Sequence, residues 1–257
     1  MEGWRLRPAA AALGLLALAC SPAPAQAPAE MGSTMSAAAT ATTFLVAGST
    51  VTRPTSRLLP IVWHHQAHNL SCEAAALKMA LSYVGVSRDE LTLMSYMGYD
   101  LRPARFDPRG RLLTWGDPNA AYVGNPDGHI QTYTGYGVYY SPVSRAVAAA
   151  GAHVIVAGSG LYGSAVSPNT VYDAVLGGHP VVAWISNTYR TVRLQSYVAY
   201  DGSRVSYTLT EHAVTIAGVR PGGVFIDDPW FGPGWHTKAQ FEAAFATFGD
   251  MAVVVGS

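Results

Sequence analysis

Apolar side chains recur at Ala76, Met79, Ala80, Tyr83 and Val84, the spacing of one face of an α-helix. Ser71 suits the N-cap and Gly85 the stop, so a helix is expected to begin at Cys72. Cys72 lies four residues before Ala76, which puts its side chain on the same stripe at the first turn. A short second helix is expected over 88–97. Residues 98–141 are rich in Gly, Pro, Asp, Asn and Tyr and lack a steady period, which marks a long irregular excursion that is functional or hides short elements. Helices follow over 142–150 and 168–176, each opening with Pro at its first turn. The period then changes. Short β-branched or aromatic runs fall at 153–157, 180–185, 192–199, 204–209, 212–219 and 224–226, and Asp201-Gly202 between two of them is a hairpin signal. A helix over 237–248 and a strand over 251–255 close the chain. Helices first and an antiparallel sheet later predict an α+β class, with the Cys72 helix packed on a C-terminal antiparallel sheet.

The amino-terminal segment has a different character. Arg5 and Arg7 precede an apolar run from Ala9 to Ala19, and small residues follow, the pattern of an export signal over 1–25. Ala23-Pro24-Ala25 fits cleavage for secretion, whereas Leu16-Ala17-Leu18-Ala19-Cys20 resembles a bacterial lipoprotein box in which Cys20 carries a lipid anchor. Residues 26–50 read as a flexible tether of Ala, Ser, Thr and Pro, and 51–257 as the folded domain. The expected location is therefore extracytoplasmic, secreted or membrane-anchored.

Of the 257 residues, 49% are hydrophobic and 12% charged, enough for a sizeable core and too few charges for a disordered chain. Sixteen basic and sixteen acidic side chains cancel, with no basic run to serve as a footprint for nucleic acid. Two cysteines, Cys20 and Cys72, do not make a disulfide scaffold. Once Cys20 is removed or acylated, Cys72 is a lone exported thiol, an unusual residue where oxidation is favoured.

A cysteine in the first turn of a helix meets unpaired N–H groups and the positive end of the helix dipole, which favour a thiolate. The same residue also fits a small buried apolar role. His212 follows Glu211 and opens an apolar strand 140 residues after Cys72. Asp228 ends the next strand, in Val224-Phe225-Ile226-Asp227-Asp228-Pro229, and two antiparallel neighbours would bring it to His212 as an orienting partner. Gln66, six residues before Cys72, is placed to share an oxyanion with the Cys72 backbone N–H. Asp227 is the rival orienter, but neighbours on a strand point to opposite faces, so only one of the two can serve.

These residues, in the order Gln, Cys on a helix, His on a strand, Asp, resemble the peptidase C39-like family of the papain fold. The resemblance runs through Gln66, Ser71-Cys72-Glu73-Ala74-Ala75, Tyr122-Val123-Gly124-Asn125-Pro126, Gly135-Tyr136-Gly137-Val138-Tyr139, Gly178-His179-Pro180, Glu211-His212-Ala213-Val214 and Ile226-Asp227-Asp228-Pro229. It implies a papain-like cysteine peptidase fold, Cys72 as nucleophile, His212 as general base and acid, Asp228 as its orienter, Gln66 in the oxyanion hole, and a peptide or protein substrate. The better-known branch has Cys-Gly and is fused to a transporter. Glu73 stands in the glycine's place here, so double-glycine leader cleavage is not implied.

Two other outcomes use the same residues: acyl transfer to an amine, and a catalytically inactive binding module at the cell envelope. No cofactor is expected. His64, His65 and His68 cluster, but no second ligand group stands at zinc spacing, so they are expected on a polar cleft rim. Glu211 is expected to be a solvated strand-edge charge. Trp184, Trp230 and Trp235 suit either a substrate groove or the core, and 98–141 is a candidate lid.

Overall fold

The computed structural model describes residues 41–46 and 49–257, with side chains from Pro54 onward. The expected signal over 1–25 and Cys20 lie outside the described residues. Ala41–Val46 and Ser49–Pro54 pair antiparallel, in register from Ala41 opposite Pro54 to Val46 opposite Ser49. The described part of the expected 26–50 tether is therefore strand, in keeping with its Thr, Val and Phe content. No described helix is long and apolar enough to cross a membrane.

Among the described residues, the main sheet has seven strands, all antiparallel. Across it run Gly232–Thr237, Gly223–Asp228, Glu211–Arg220, Val181–Ser186, Ala252–Gly256 and His153–Gly158, and Arg57–Leu58 adds a short strand beside Gly218 and Val219. The central Val181–Ser186 strand is buried at every position because both faces of the sheet are covered. Val182 and Trp184 pack in one cluster with Ala76, Leu77 and Ala80 of helix α1 (Cys72–Tyr83) and Leu93 of α2 (Glu90–Met97). That cluster also takes Val143 and Val147 of α3 (Tyr140–Ala150). Val181, Ala183 and Ile185 point the other way, to α4 (Pro168–Gly177) and to Phe241 and Phe245 of α5 (Lys238–Phe245). The two-residue period of the strand thus divides the core into two layers. The chain has the α+β, papain-like architecture expected of it.

Helix ends follow local chemistry. Asp89 caps α2 by accepting from the Thr92 amide, Ser167 caps α4 ahead of Pro168, and Thr237 with Gln240 forms a capping box on α5. Ser71 differs from expectation: its hydroxyl does not cap α1 but donates to Glu90. A strand at Gly232–Thr237 precedes α5, where Gly-Pro-Gly reads as a turn. Its alternating exposure and its place at the sheet edge explain how Pro233 is accommodated.

The 98–141 segment holds short strands, Tyr99–Asp100, Tyr122–Gly124 and Gly135–Gly137 in one sheet and Arg105–Phe106 with Leu112–Thr114 in another. Trp115, Tyr122, Tyr136 and Tyr139 bury it against the α1 layer, so it is part of the body of the domain and not a loose lid.

Helix α1 is tied to the sheet by the buried Thr215 hydroxyl, which donates to the Ala76 carbonyl at 2.8 Å. Replacing Thr215 by Val removes this bond while keeping the side-chain shape. Chemical denaturation is expected to show a loss of about 1 kcal/mol, with the circular dichroism spectrum unchanged.

Candidate active site

Cys72 is the first residue of α1, and the loop before it is held by one buried carboxylate. Glu90, at the start of α2, accepts from the Ser71 hydroxyl and from the Ala67 amide at 3.0 Å, and pairs with His64 Nε2 at 2.7 Å. A second set of contacts ties the loop to the chain after Asp228. Trp63 Nε1 donates to the Asp228 carbonyl, the Gln66 amide donates to the Pro229 carbonyl, and the His65 ring lies between Trp63 and Trp230. His68 pairs with Asp127 at 2.9 Å. The three histidines therefore have three separate partners and do not converge on one point.

On the sheet, His212 Nε2 lies 2.8 Å from Asp228 Oδ1. The same oxygen accepts from the Trp230 amide at 2.8 Å and the Phe231 amide at 3.0 Å, and Tyr189 Oη donates to Oδ2 at 3.3 Å. Burial works to raise the Asp228 pKa, but the His212 hydrogen bond and charge and the two amides outweigh it and hold the carboxyl below its usual range. Asp227 points to the other face, and among the described residues no hydrogen bond joins it to His212; burial pushes its pKa up to about 6.

Cys72 and His212 line the same cleft, a space of about 310 Å³ that also meets Gln66, Tyr136, Trp230 and Phe231. Yet the sulfur's hydrogen bonds run elsewhere. The thiol donates to Glu73 Oε2 at 3.4 Å and Sγ accepts from the Ala213 amide at 3.5 Å, while among the described residues none joins Sγ to the imidazole. The cause lies in the strand. Pairing between Glu211–Arg220 and Gly223–Asp228 begins only at Thr215, so the Ala213 amide is available to the sulfur. Ala213 and Thr215 face α1 while Val214 packs in the α4 and α5 layer, so Glu211 belongs to the sulfur's face and His212 to the opposite one.

Glu211 is therefore not a solvated charge. It is 7% exposed, Glu73 is fully buried, and one oxygen from each lies within 4.8 Å of the other and of Sγ. Glu73 Oε1 accepts from the Val138 amide at 2.6 Å. Gly137 makes the space for it: its φ is +137°, and a Cβ there would stand 2.1 Å from Glu73 Oε1. Burial first, then the charges of Glu73 and Glu211, push the Cys72 thiol well above its ordinary value. In this conformation they override the lowering expected of a helix start. Burial raises Glu73 to about 7, and burial together with Glu73 raises Glu211 well above the usual carboxylate range.

Gln66 reaches the cleft, but its side-chain nitrogen donates to the carbonyls of His68 at 2.7 Å and Asn69 at 3.0 Å, and its buried Oε1 has no hydrogen-bond partner among the described residues. Trp184 is core, with Nε1 donating to the Val138 carbonyl. Trp230 lines the cleft, and Trp235 lies under the Arg220 guanidinium. Sequence reasoning missed Glu73, Glu211, Glu90 and Tyr189 as parts of the site. For Glu73 a signal existed, since it is an acid in the otherwise apolar first turns of α1.

Raised carboxyls set the pH response of stability. Glu73, with its folded pKa near 7 against an ordinary 4.5, and Asp227, near 6 against 3.8, favour the folded chain most when protonated, and this contribution is lost as pH rises through their folded values. Thermal unfolding is therefore expected to show a falling midpoint from pH 4.5 to 7, less steep in Glu73→Gln. Gly137→Ala is expected to displace Glu73 from Val138 and cost about 1–3 kcal/mol by the same assay.

Comparison with known proteins agrees with this architecture. The model of the Peptidase_C39 like family matches residues 58–253. The uncharacterized protein YvpB of Bacillus subtilis (strain 168) is 29% identical over 189 residues, covering 72% of this chain and 68% of YvpB. A crystal structure from Bacillus anthracis, of a protein described as a C39-like peptidase, superposes with a TM-score of 0.64 at 24% identity, covering 79% of this chain and 98% of that one. With a match that spans most of the domain, the chain belongs to the Peptidase_C39 like family.

Proposed function

We propose that this protein is an exported cysteine peptidase or amide hydrolase working through Cys72, His212 and Asp228. The observation that carries it is the His212–Asp228 hydrogen bond at the cleft where α1 presents Cys72. Asp228 takes three donors besides His212, so it orients the ring and stabilises a cationic imidazole without needing a proton of its own.

In the proposed cycle the sulfur first leaves Glu73 and gives its proton to His212. Sγ then bonds to the substrate carbonyl carbon, whose oxygen takes the negative charge. The Cys72 backbone N–H, one of the unpaired donors of the helix start, supports that oxygen, joined by Gln66 when an N–H of its amide turns from a loop carbonyl. His212 protonates the leaving amine as the carbon–nitrogen bond breaks, which leaves a thioester. Water gives a proton to His212 and its oxygen to the acyl carbon, and the thiol departs with the proton returned. Trp63 and Trp230, both partly exposed beside the cleft, offer apolar surface to a peptide. Export fits the signal pattern over 1–25, with Cys20 the candidate for lipid attachment.

Assay of a peptide library should show turnover that Cys72→Ala and His212→Ala abolish. Asp228→Asn is expected to retain binding but to lower kcat by about a hundredfold or more, since the ring loses its orienting charge. Should wild-type Cys72 alkylate with iodoacetamide only after unfolding, the chain is a binding module and the hydrolase proposal fails.

A further inference from the structure

Two buried acids under the nucleophile take no direct part in the cycle above. Glu73 Oε1 is held by the Val138 amide, and Glu73 Oε2 accepts the Cys72 thiol hydrogen. Glu211 Oε1 is buried with no hydrogen-bond partner among the described residues, and the side chain completes a three-residue cluster with Cys72 and Glu73. The titratable groups facing the pair are Cys72 on α1 and the buried phenols of Tyr122, Tyr136 and Tyr139. Among the described residues no basic side chain forms an ion pair with either acid. Two uncompensated negative charges at this separation and burial are too costly to coexist, so one carboxyl keeps its proton. Glu211 is that one, because Glu73 already accepts two hydrogen bonds and Glu211 Oε1 accepts none.

We propose that Glu73 and Glu211 are positioning residues that hold Cys72 as a thiol turned away from His212, and that protonation of Glu73 releases the sulfur to the imidazole. An ionised Glu73 both accepts the S–H hydrogen bond and opposes a thiolate beside it. Once Glu73 is neutral the bond weakens and the repulsion is gone. Gly137 and the Val138 amide fix the carboxylate at the point where it can do both. Once Glu73 is charged, near 7, the sulfur of the proposed enzyme is restrained, so the thiol ionises later and over a wider range than it would beside a neutral residue. This rests on the Cys72–His212 reading above.

The test is the rate of Cys72 alkylation by iodoacetamide across about pH 5 to 9 in the wild type, Glu73→Gln and Glu211→Gln. Wild-type reactivity is expected to rise late and over a stretched range, because each step in pH also charges Glu73. Glu73→Gln is expected to react about tenfold faster near pH 7, with its midpoint about one unit lower or more. Glu211→Gln should move the midpoint in the same direction. Glutamine keeps the size and the acceptor oxygen, so a purely structural role predicts no such shift. Profiles of both variants that superimpose on the wild type overturn the proposal. If either variant fails to fold, infrared titration of the wild type decides: a protonated carboxyl band persisting above neutral pH supports the pair, and its absence refutes it. A His212→Ala profile identical to wild type would instead overturn the Cys–His reading, leaving the two glutamine variants to judge the acid pair on their own.

Discussion

The contact on which the site depends is a backbone one, between the Ala213 amide and the Cys72 sulfur. It exists because the strand bearing His212 pairs with its neighbour only from Thr215 onward. A fully zipped sheet would have occupied that amide and shut the amino end of α1 out. The opening lets a helix terminus meet a strand edge, and Cys72, Glu73, Glu211 and His212 are gathered at that seam. Thr215, two residues on, fastens the same helix through Ala76, so the seam is held just where the pairing resumes.

Because side chains alternate along the strand, the seam has two sides of opposite character. On one stand Glu211 and Glu73, both raised in pKa by burial; on the other stand His212 and Asp228, with the carboxylate kept ionised by its donors. The sulfur sits between a pair of buried acids and a hydrogen-bonded His–Asp pair. Its hydrogen bonds in this structure favour the first. The proposed chemistry requires the second.

Much of the scaffold was legible in the residues themselves. The α1 stripe, the Pro-led helices and the β-branched runs all carry strong periodic or capping signals, and each appears close to its expected place. The approach of Asp228 to His212 followed from strand alternation and a short turn. What stayed hidden depended on distant packing. Glu211 next to a histidine on a strand looks solvated, and only the arrival of α1 and the Gly135–Gly137 strand buries it. The Gly232–Thr237 strand lacks the composition of a strand and owes its form to its neighbour's backbone. Ser71 has the look of a cap, yet Glu90, nineteen residues away, competes successfully for its hydroxyl.

Glu90 has a mechanical meaning of its own. One carboxylate gathers His64, Ala67 and Ser71, so the segment entering Cys72 and the first turn of α2 are yoked and must shift together. A compound wedged beneath α2, or a change in length of the 84–89 connection, would therefore be felt as a misplaced sulfur without touching the cleft. The flank of the domain is a handle on where Cys72 stands.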